Sequence, residues 1–187
     1  FWLAYIESLN IKKIELGLNR VIQVAQNLGV EAVAEKAIMV AGTNGKGSCV
    51  AAMEVILRDL GYKVGCYTSP HISRFTERIK IDGAEIAEEI LCAAFLAVEI
   101  ARGDIKLTYF EFTTLVAFLI FSERKLDFAL LEIGLGGRLD AVNIIEADVA
   151  VITSVDLDHQ EWLGKDRESI GYEKAGIIKK NRPVVYG

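Results

Sequence analysis

The 187 residues are 52% hydrophobic and 25% charged, with only 2 prolines, a composition that excludes a disordered segment and suits one domain with a sizeable core. The net charge of −5, from 21 basic and 26 acidic side chains without a Lys/Arg cluster, argues against a nucleic-acid partner. No apolar run approaches the ~20 residues that a membrane helix needs.

The opening Phe1-Trp2-Leu3 has neither the basic flank nor the small-residue cleavage site of a leader. It does not begin with Met, so residues before Phe1 are allowed for. Cys49, Cys66 and Cys92 are odd in number, far apart and set in apolar surroundings, which predicts reduced, buried thiols in a cytoplasmic protein and no cysteine nucleophile.

Trp2, Leu3, Ile6 and Leu9 recur at helical spacing, as do Leu18, Val21, Ile22, Ala25 and Leu28, and Gly29 stops the second helix. Ala37–Ala41 reads as a buried strand, Ser48–Leu60 as a helix stopped by Gly61, and Lys63–Thr68 as the next strand, which together form a βαβ unit. Glu77–Ile81 alternates sides and runs into the hairpin signal Asp82-Gly83. Helices follow over Glu88–Arg102 and Phe110–Lys125, then strands over Asp127–Ile133 and Ala147–Val155, a helix over Ser169–Ile178 and a short strand over Pro183–Tyr186. The alternation predicts an α/β fold with a mostly parallel sheet flanked by helices.

The strand-to-helix link Gly42-Thr43-Asn44-Gly45-Lys46-Gly47-Ser48 has the composition and context of a phosphate loop. Glycines let backbone N–H groups face an anion, Lys46 adds a charge, and the helix start adds partial positive charge. It departs from G-x-x-x-x-G-K-[ST], because Gly42 stands three positions before Gly45 and Gly47 takes the place of the metal-binding hydroxyl. Another oxygen must then hold Mg²⁺.

Ser69, Glu132 and His159 fall where strands end, and adjacent parallel strands bring such positions to one edge. A hydroxyl and a carboxylate suit Mg²⁺, whereas an imidazole does so less well, and His159 alone reads more simply as structural. Gly134-Leu135-Gly136-Gly137-Arg138 is a weak dinucleotide signal; beside Glu132 and Asp140 it would let a ligand approach the backbone near those acids. Glu88-Glu89 and Glu31 to Glu35 read as solvated helix faces. Composition alone makes Lys174 a surface lysine.

Taken together, the motifs resemble those of the Mur ligase superfamily, and within it the dihydrofolate synthase/folylpolyglutamate synthase family. The resemblance rests on the 42–48 loop, Thr68-Ser69-Pro70-His71, Thr108-Tyr109-Phe110-Glu111, Glu132 with Gly134 to Asp140, Asp158-His159 with Trp162-Leu163-Gly164, and Glu173-Lys174-Ala175-Gly176. It implies a P-loop NTPase-like central domain, with residues 1–187 as the ATP- and pterin-binding half and a glutamate-binding C-terminal domain lying outside this chain. Thr43, Asn44, Gly45, Lys46, Gly47 and Ser48 would bind ATP. Ser69 and Glu132 would hold one Mg²⁺, and His159 with a carbamylated Lys174 the second. The pterin site would fall on Lys13, Ile14, Glu15, Leu16, Thr108, Tyr109, Phe110, Glu111, Leu139, Asp140 and Ala141.

The resemblance further implies ligation of L-glutamate to dihydropteroate or a reduced folate through an acyl phosphate, with Lys46, Lys174 and His159 acting in catalysis. A monomer is expected, and the 187-residue chain alone should be inactive. Val142 stands where the family often has threonine, and Asp156 adds an acid near His159. A peptidoglycan-type Mur ligase is the alternative enzyme, and a regulatory ATP-binding module the alternative outside catalysis.

Overall fold

The computed structural model describes residues 2–9 and 14–187. The chain runs through α1 (Trp2–Leu9), α2 (Asn19–Leu28), β1 (Lys36–Ala41), α3 (Lys46–Asp59), β2 (Val64–Tyr67), β3 (Ile79–Ile81), β4 (Ala84–Glu85), α4 (Glu88–Arg102) and α5 (Tyr109–Ser122). It continues through β5 (Phe128–Glu132), β6 (Val149–Ile152), α6 (Gln160–Leu163), α7 (Arg167–Ala175) and β7 (Val184–Tyr186). The strands form one seven-stranded sheet in the order β4-β3-β2-β5-β1-β6-β7. Five strands, β2, β5, β1, β6 and β7, pair in parallel, and the β3–β4 hairpin adds antiparallel at one edge.

Side-chain alternation divides the core between the two faces of the sheet. Ala37, Met39 and Ala41 of β1 and Ala129 and Leu131 of β5 join the large cluster built with α1, α2, α4 and α5. Val40 and Leu130, one position out of phase, join Val50 of α3 with Val64 and Cys66 of β2 on the other face. Helix α5 is apolar on nearly all sides because it is buried on nearly all sides, with Phe112, Leu115, Val116, Phe118 and Phe121 fully enclosed. Trp2 ties α1 to this layer by stacking on Phe95 at 5.6 Å, and Phe95 in turn stacks on Phe112 at 5.8 Å.

The expected elements are present with shifted ends. Helix α3 begins at Lys46 rather than Ser48, because Gly45 takes a left-handed φ of 83° that turns the chain directly into the helix. Strand β6 stops at Ile152, and residues 153–155 leave the sheet. Glu31 and Glu35 are exposed as expected, but their segment is irregular and not helical. Of the cysteines only Cys66 is buried; Cys49 is half-buried and Cys92 exposed, since Cys92 lies on the outer face of α4, next to the inward-facing Leu91.

Candidate nucleotide and acceptor site

The carboxyl ends of β1, β2, β5 and β6 bring the motif residues together. After β1, Gly42 sits at φ 149°, and a Cβ there would overlap the Thr153 hydroxyl. Thr43 and Asn44 are held from β6's continuation. Thr43 N–H donates to the Ser154 carbonyl at 2.9 Å, and Asn44 N–H to Ser154 Oγ at 3.1 Å. Thr153 Oγ1 donates to the Asn44 carbonyl at 2.6 Å, and Thr43 Oγ1 accepts from Asp156 N–H at 3.0 Å. The first N–H bonded back into α3 is that of Cys49, to the Gly45 carbonyl at 2.9 Å, so the amides of Lys46, Gly47 and Ser48 face outward from the helix's N-terminal end. Lys46 Nζ curls over the loop and donates to the carbonyls of Gly42 at 2.9 Å and Thr43 at 3.3 Å.

A Cβ on Gly47 would lie 3.7 Å from Glu132 Oε2. The carboxylate therefore occupies the neighbourhood in which an ordinary phosphate loop presents its hydroxyl. Glu132 is buried and accepts from the Ser69 N–H at 3.1 Å. Burial pushes its pKa above the usual carboxylate range, opposed by that N–H and by the charges of Lys46 and Arg78. Among the described residues no group of three or more His, Cys, Asp and Glu is poised to hold a metal. The oxygens available are the Ser69 hydroxyl and the Glu132 carboxylate, hard donors that fit Mg²⁺ when phosphate and water complete its shell.

One cleft of about 400 Å³ takes in both the phosphate and the acceptor motifs. Lys46, Ser69 and His159 line it together with Ile14, Glu15, Leu16, Thr108, Tyr109, Phe110, Glu111, Leu139, Asp140 and Ala141. Lys13 lies outside the described residues. Glu132, Gly47 and Ser69 border a smaller adjoining cavity of about 210 Å³.

The Thr108–Glu111 end of the cleft is braced by local contacts. Thr108 and Glu111 close a capping box on α5: Glu111 N–H donates to Thr108 Oγ1 at 3.2 Å, and Thr108 N–H to Glu111 Oε2 at 2.7 Å. Arg20 joins Glu111 Oε1 at 2.8 Å to Glu15 Oε1 at 2.9 Å, tying residues 15 and 16 to the helix start. Asp140 is buried and accepts from the N–H groups of Leu135 at 2.7 Å and Val142 at 2.9 Å; burial nevertheless pushes its pKa up to about 7.

The profile of the Mur ligase middle domain matches residues 40–185. The chain belongs to the Mur ligase family. It is 55% identical over 186 residues to the dihydrofolate synthase/folylpolyglutamate synthase of Escherichia coli, which covers all of this chain and 44% of that protein. The structure of E. coli FolC in complex with DHPP and ADP superposes with a TM-score of 0.97 at 55% identity, over 99% of this chain and 45% of that one. A bifunctional folylpolyglutamate synthase/dihydrofolate synthase with Mn, AMPPNP and L-glutamate bound gives 0.93 at 53% identity, over 99% and 45%. The chain thus spans less than half the length of these relatives.

In this Mur ligase domain the glycine run serves mainly the chain itself. A Cβ on Gly137 would meet the carbonyls of Glu173 at 2.8 Å and Lys174 at 2.9 Å, and one on Gly176 would overlap Arg138. The end of α7 is pressed against the loop, fastened by Arg138 N–H to the Glu173 carbonyl at 2.8 Å and by the Arg138–Glu173 ion pair at 2.8 Å. Gly134 lines the cleft, but its own Cα is covered by the Phe110 ring. At Gly137 the space for close approach is filled by the backbone of α7, whereas Gly134 and Leu135, next to Asp140, line the cleft.

This packing buries Lys174 to 3% exposure, overturning its compositional reading as a surface residue. Burial first, and the charge of Lys46 second, lower its pKa to about 8, with Asp158 opposing. His159 is half-exposed at a left-handed φ of 48°, its Nε2 3.6 Å from Asp158 Oδ2. Two features escaped sequence reasoning: the brace from Thr153 and Ser154, and Arg78, which lines the cleft. No local signal marks Arg78, which with Lys80 alternates regularly with Ile79 and Ile81.

Proposed function

We propose that this Mur ligase domain binds ATP and a pterin-linked carboxylate for an amide ligase, which adds L-glutamate to dihydropteroate and to reduced folates. The observation that carries the reading is the single cleft shared by Lys46 and Ser69 at one end and by Thr108–Glu111 and Leu139–Ala141 at the other. A carboxylate placed there lies beside the phosphate loop, as transfer of the γ-phosphoryl group to give an acyl phosphate requires. Lys46, released from the loop carbonyls, neutralises charge on the transferring group. Ser69 and Glu132 hold Mg²⁺, which when bound supplies charge neutralisation and a template for the phosphate oxygens.

Lys174 is carbamylated in the working enzyme and, with His159, holds a second Mg²⁺. Its support is chemical: a buried amine with pKa lowered to about 8 is neutral often enough to add CO₂, and the carbamate removes its repulsion from Lys46. Glu111 and Asp140 offer acceptors to the amino-pterin edge, and Phe110 and Leu139 line the cleft that receives the ring. The glutamate site belongs to the part of the polypeptide that the longer relatives possess beyond this match. Accordingly the 187-residue chain binds nucleotide without ligating, as a cytoplasmic, monomeric unit.

The test is a product assay on a full-length polypeptide containing this chain, supplied with ATP, Mg²⁺, glutamate and either dihydropteroate or a reduced folate. Mass spectrometry should find the new amide with both acceptors. Turnover of ATP with neither acceptor consumed would refute the ligase reading and favour a regulatory ATP-binding module.

A further inference from the structure

Arg78 closes the 3-10 turn Phe75–Arg78 between β2 and β3 and is only 7% exposed. Its guanidinium carbon lies 5.6 Å from the centroid of the Phe75 ring and 5.6 Å from that of Tyr109. Its Nε donates to His71 Nδ1 at 2.8 Å. These contacts set two aromatic rings beside the guanidinium and take up its Nε.

The other edge is open. Among the described residues no carboxylate lies within ion-pair contact of Arg78, although its charge reaches Glu132, and no protein acceptor takes a hydrogen bond from Nη1 or Nη2. Arg20 and Arg102, the other partly enclosed arginines, each have a carboxylate at 2.8 Å and 2.5 Å respectively. A largely buried cation without a contact partner is costly, because desolvation is only partly offset by a more distant counter-charge. Arg78 instead lines the cleft beside Ser69, Pro70 and Tyr109, so its fork is held by two aromatic rings and presented to whatever the cleft holds. Two parallel N–H groups in that geometry match the two oxygens of a carboxylate.

We propose that Arg78 binds the reacting carboxylate of the acceptor, holding it as an anion beside Lys46 until it is phosphorylated. This rests on the acceptor reading above. Tyr109 and Phe75 pack beside the guanidinium and His71 holds its Nε, so the carboxylate is oriented as well as attracted. A phosphate of ATP has related chemistry and is the competing partner for the same fork.

The experiment measures binding to a full-length polypeptide containing this chain, by calorimetry, for three ligands: dihydropteroate, its carboxamide, and the non-hydrolysable ATP analogue AMPPNP. Wild type should prefer the acid to the amide. Arg78→Met should weaken the acid by about 10–100-fold, the scale of a hydrogen-bonded charge pair, and leave the amide and AMPPNP within a factor of a few. Arg78→Lys keeps a point charge without the fork and should fall between the two; circular dichroism and a melting curve establish that both variants fold. If neither variant folds, the same comparison with 4-aminobenzoate and its amide on wild type must show preference for the acid, or the proposal is wrong. Equal loss for acid and amide, an unchanged acid, or a loss confined to AMPPNP each overturns it. Wild type that binds neither acid nor amide refutes the acceptor reading and the proposal with it.

Discussion

Replacing Arg20 by Met tests whether the acceptor wall is held by one ion pair. The Glu111 side chain is 5% exposed, and its Oε1 meets Arg20 Nη2 at 2.8 Å. Without Arg20, that oxygen loses its counter-charge while Oε2 keeps the Thr108 N–H at 2.7 Å. Breaking a buried pair on one side costs about 3–5 kcal/mol. The retained N–H and the 27% exposure of the Arg20 side chain place the expected loss near the bottom of that range, about 3 kcal/mol. In a domain of this size that is a fall in melting temperature of about 6–12 °C.

The double variant Arg20→Met/Glu111→Gln separates charge from capping, because Gln at this position still completes the capping box. It should recover at least about 1 kcal/mol of the single variant's loss, the coupling of two groups in contact. Thermal and urea unfolding followed by circular dichroism measure both. A single variant within about 0.5 kcal/mol of wild type, the range of an ordinary surface change, would refute the argument that this pair holds the wall.

Lys46→Ala in a full-length enzyme should lower kcat by about 10²-fold or more, the scale of losing one preorganised charge-stabilising donor; turnover near wild type at saturating ATP would remove Lys46 from the phosphate step. Lys174→Ala should lose activity that short carboxylates partly restore by filling a vacated ligand position, and intact-mass measurement of bicarbonate-supplied protein should find the carbamate on wild type alone. Asp140 has its folded pKa raised from 3.8 to about 7, so the folded state holds a proton there that the unfolded chain has released. Its contribution is fully present below about pH 4 and is lost as pH rises to about 7; Asp140→Asn, which keeps an N-cap acceptor, should flatten that part of the stability–pH curve measured by urea unfolding.

Where chemistry and local periodicity coincide, the sequence was readable. The 42–48 loop lies between a strand and a helix, and Ser69 and Glu132 lie at strand ends, because strand direction and side-chain period are encoded within a few residues. Contacts across long stretches of chain were not readable in that way. Thr153 and Ser154 grip a loop about 110 residues earlier, and no local pattern distinguishes their hydroxyls from those of an ordinary loop. Lys174 is buried because Gly137 lacks a side chain, a fact about a partner 37 residues away. The run Gly134 to Arg138 divides: its first residues line the cleft, while the close approach at Gly137 is made by the chain's own α7, which no local pattern announces. Cys92 failed differently, since an apolar neighbourhood in sequence becomes an alternation of inward and outward faces once it is helical.

The grip of residues 153–156 on the phosphate loop gives the cradle its shape before any nucleotide arrives. Much of the ordering entropy of the loop is spent when the sheet forms, which leaves binding to a surface already set. The same short segment then runs on to His159, so the lengths of chain that shape the cradle and that place the imidazole are in series. A one-residue insertion between Ile152 and His159 would leave the sheet and every motif intact, yet it would have to slacken either the cradle or the imidazole. Spacing in this stretch is thus under a mechanical constraint that the chemistry of its individual residues does not reveal.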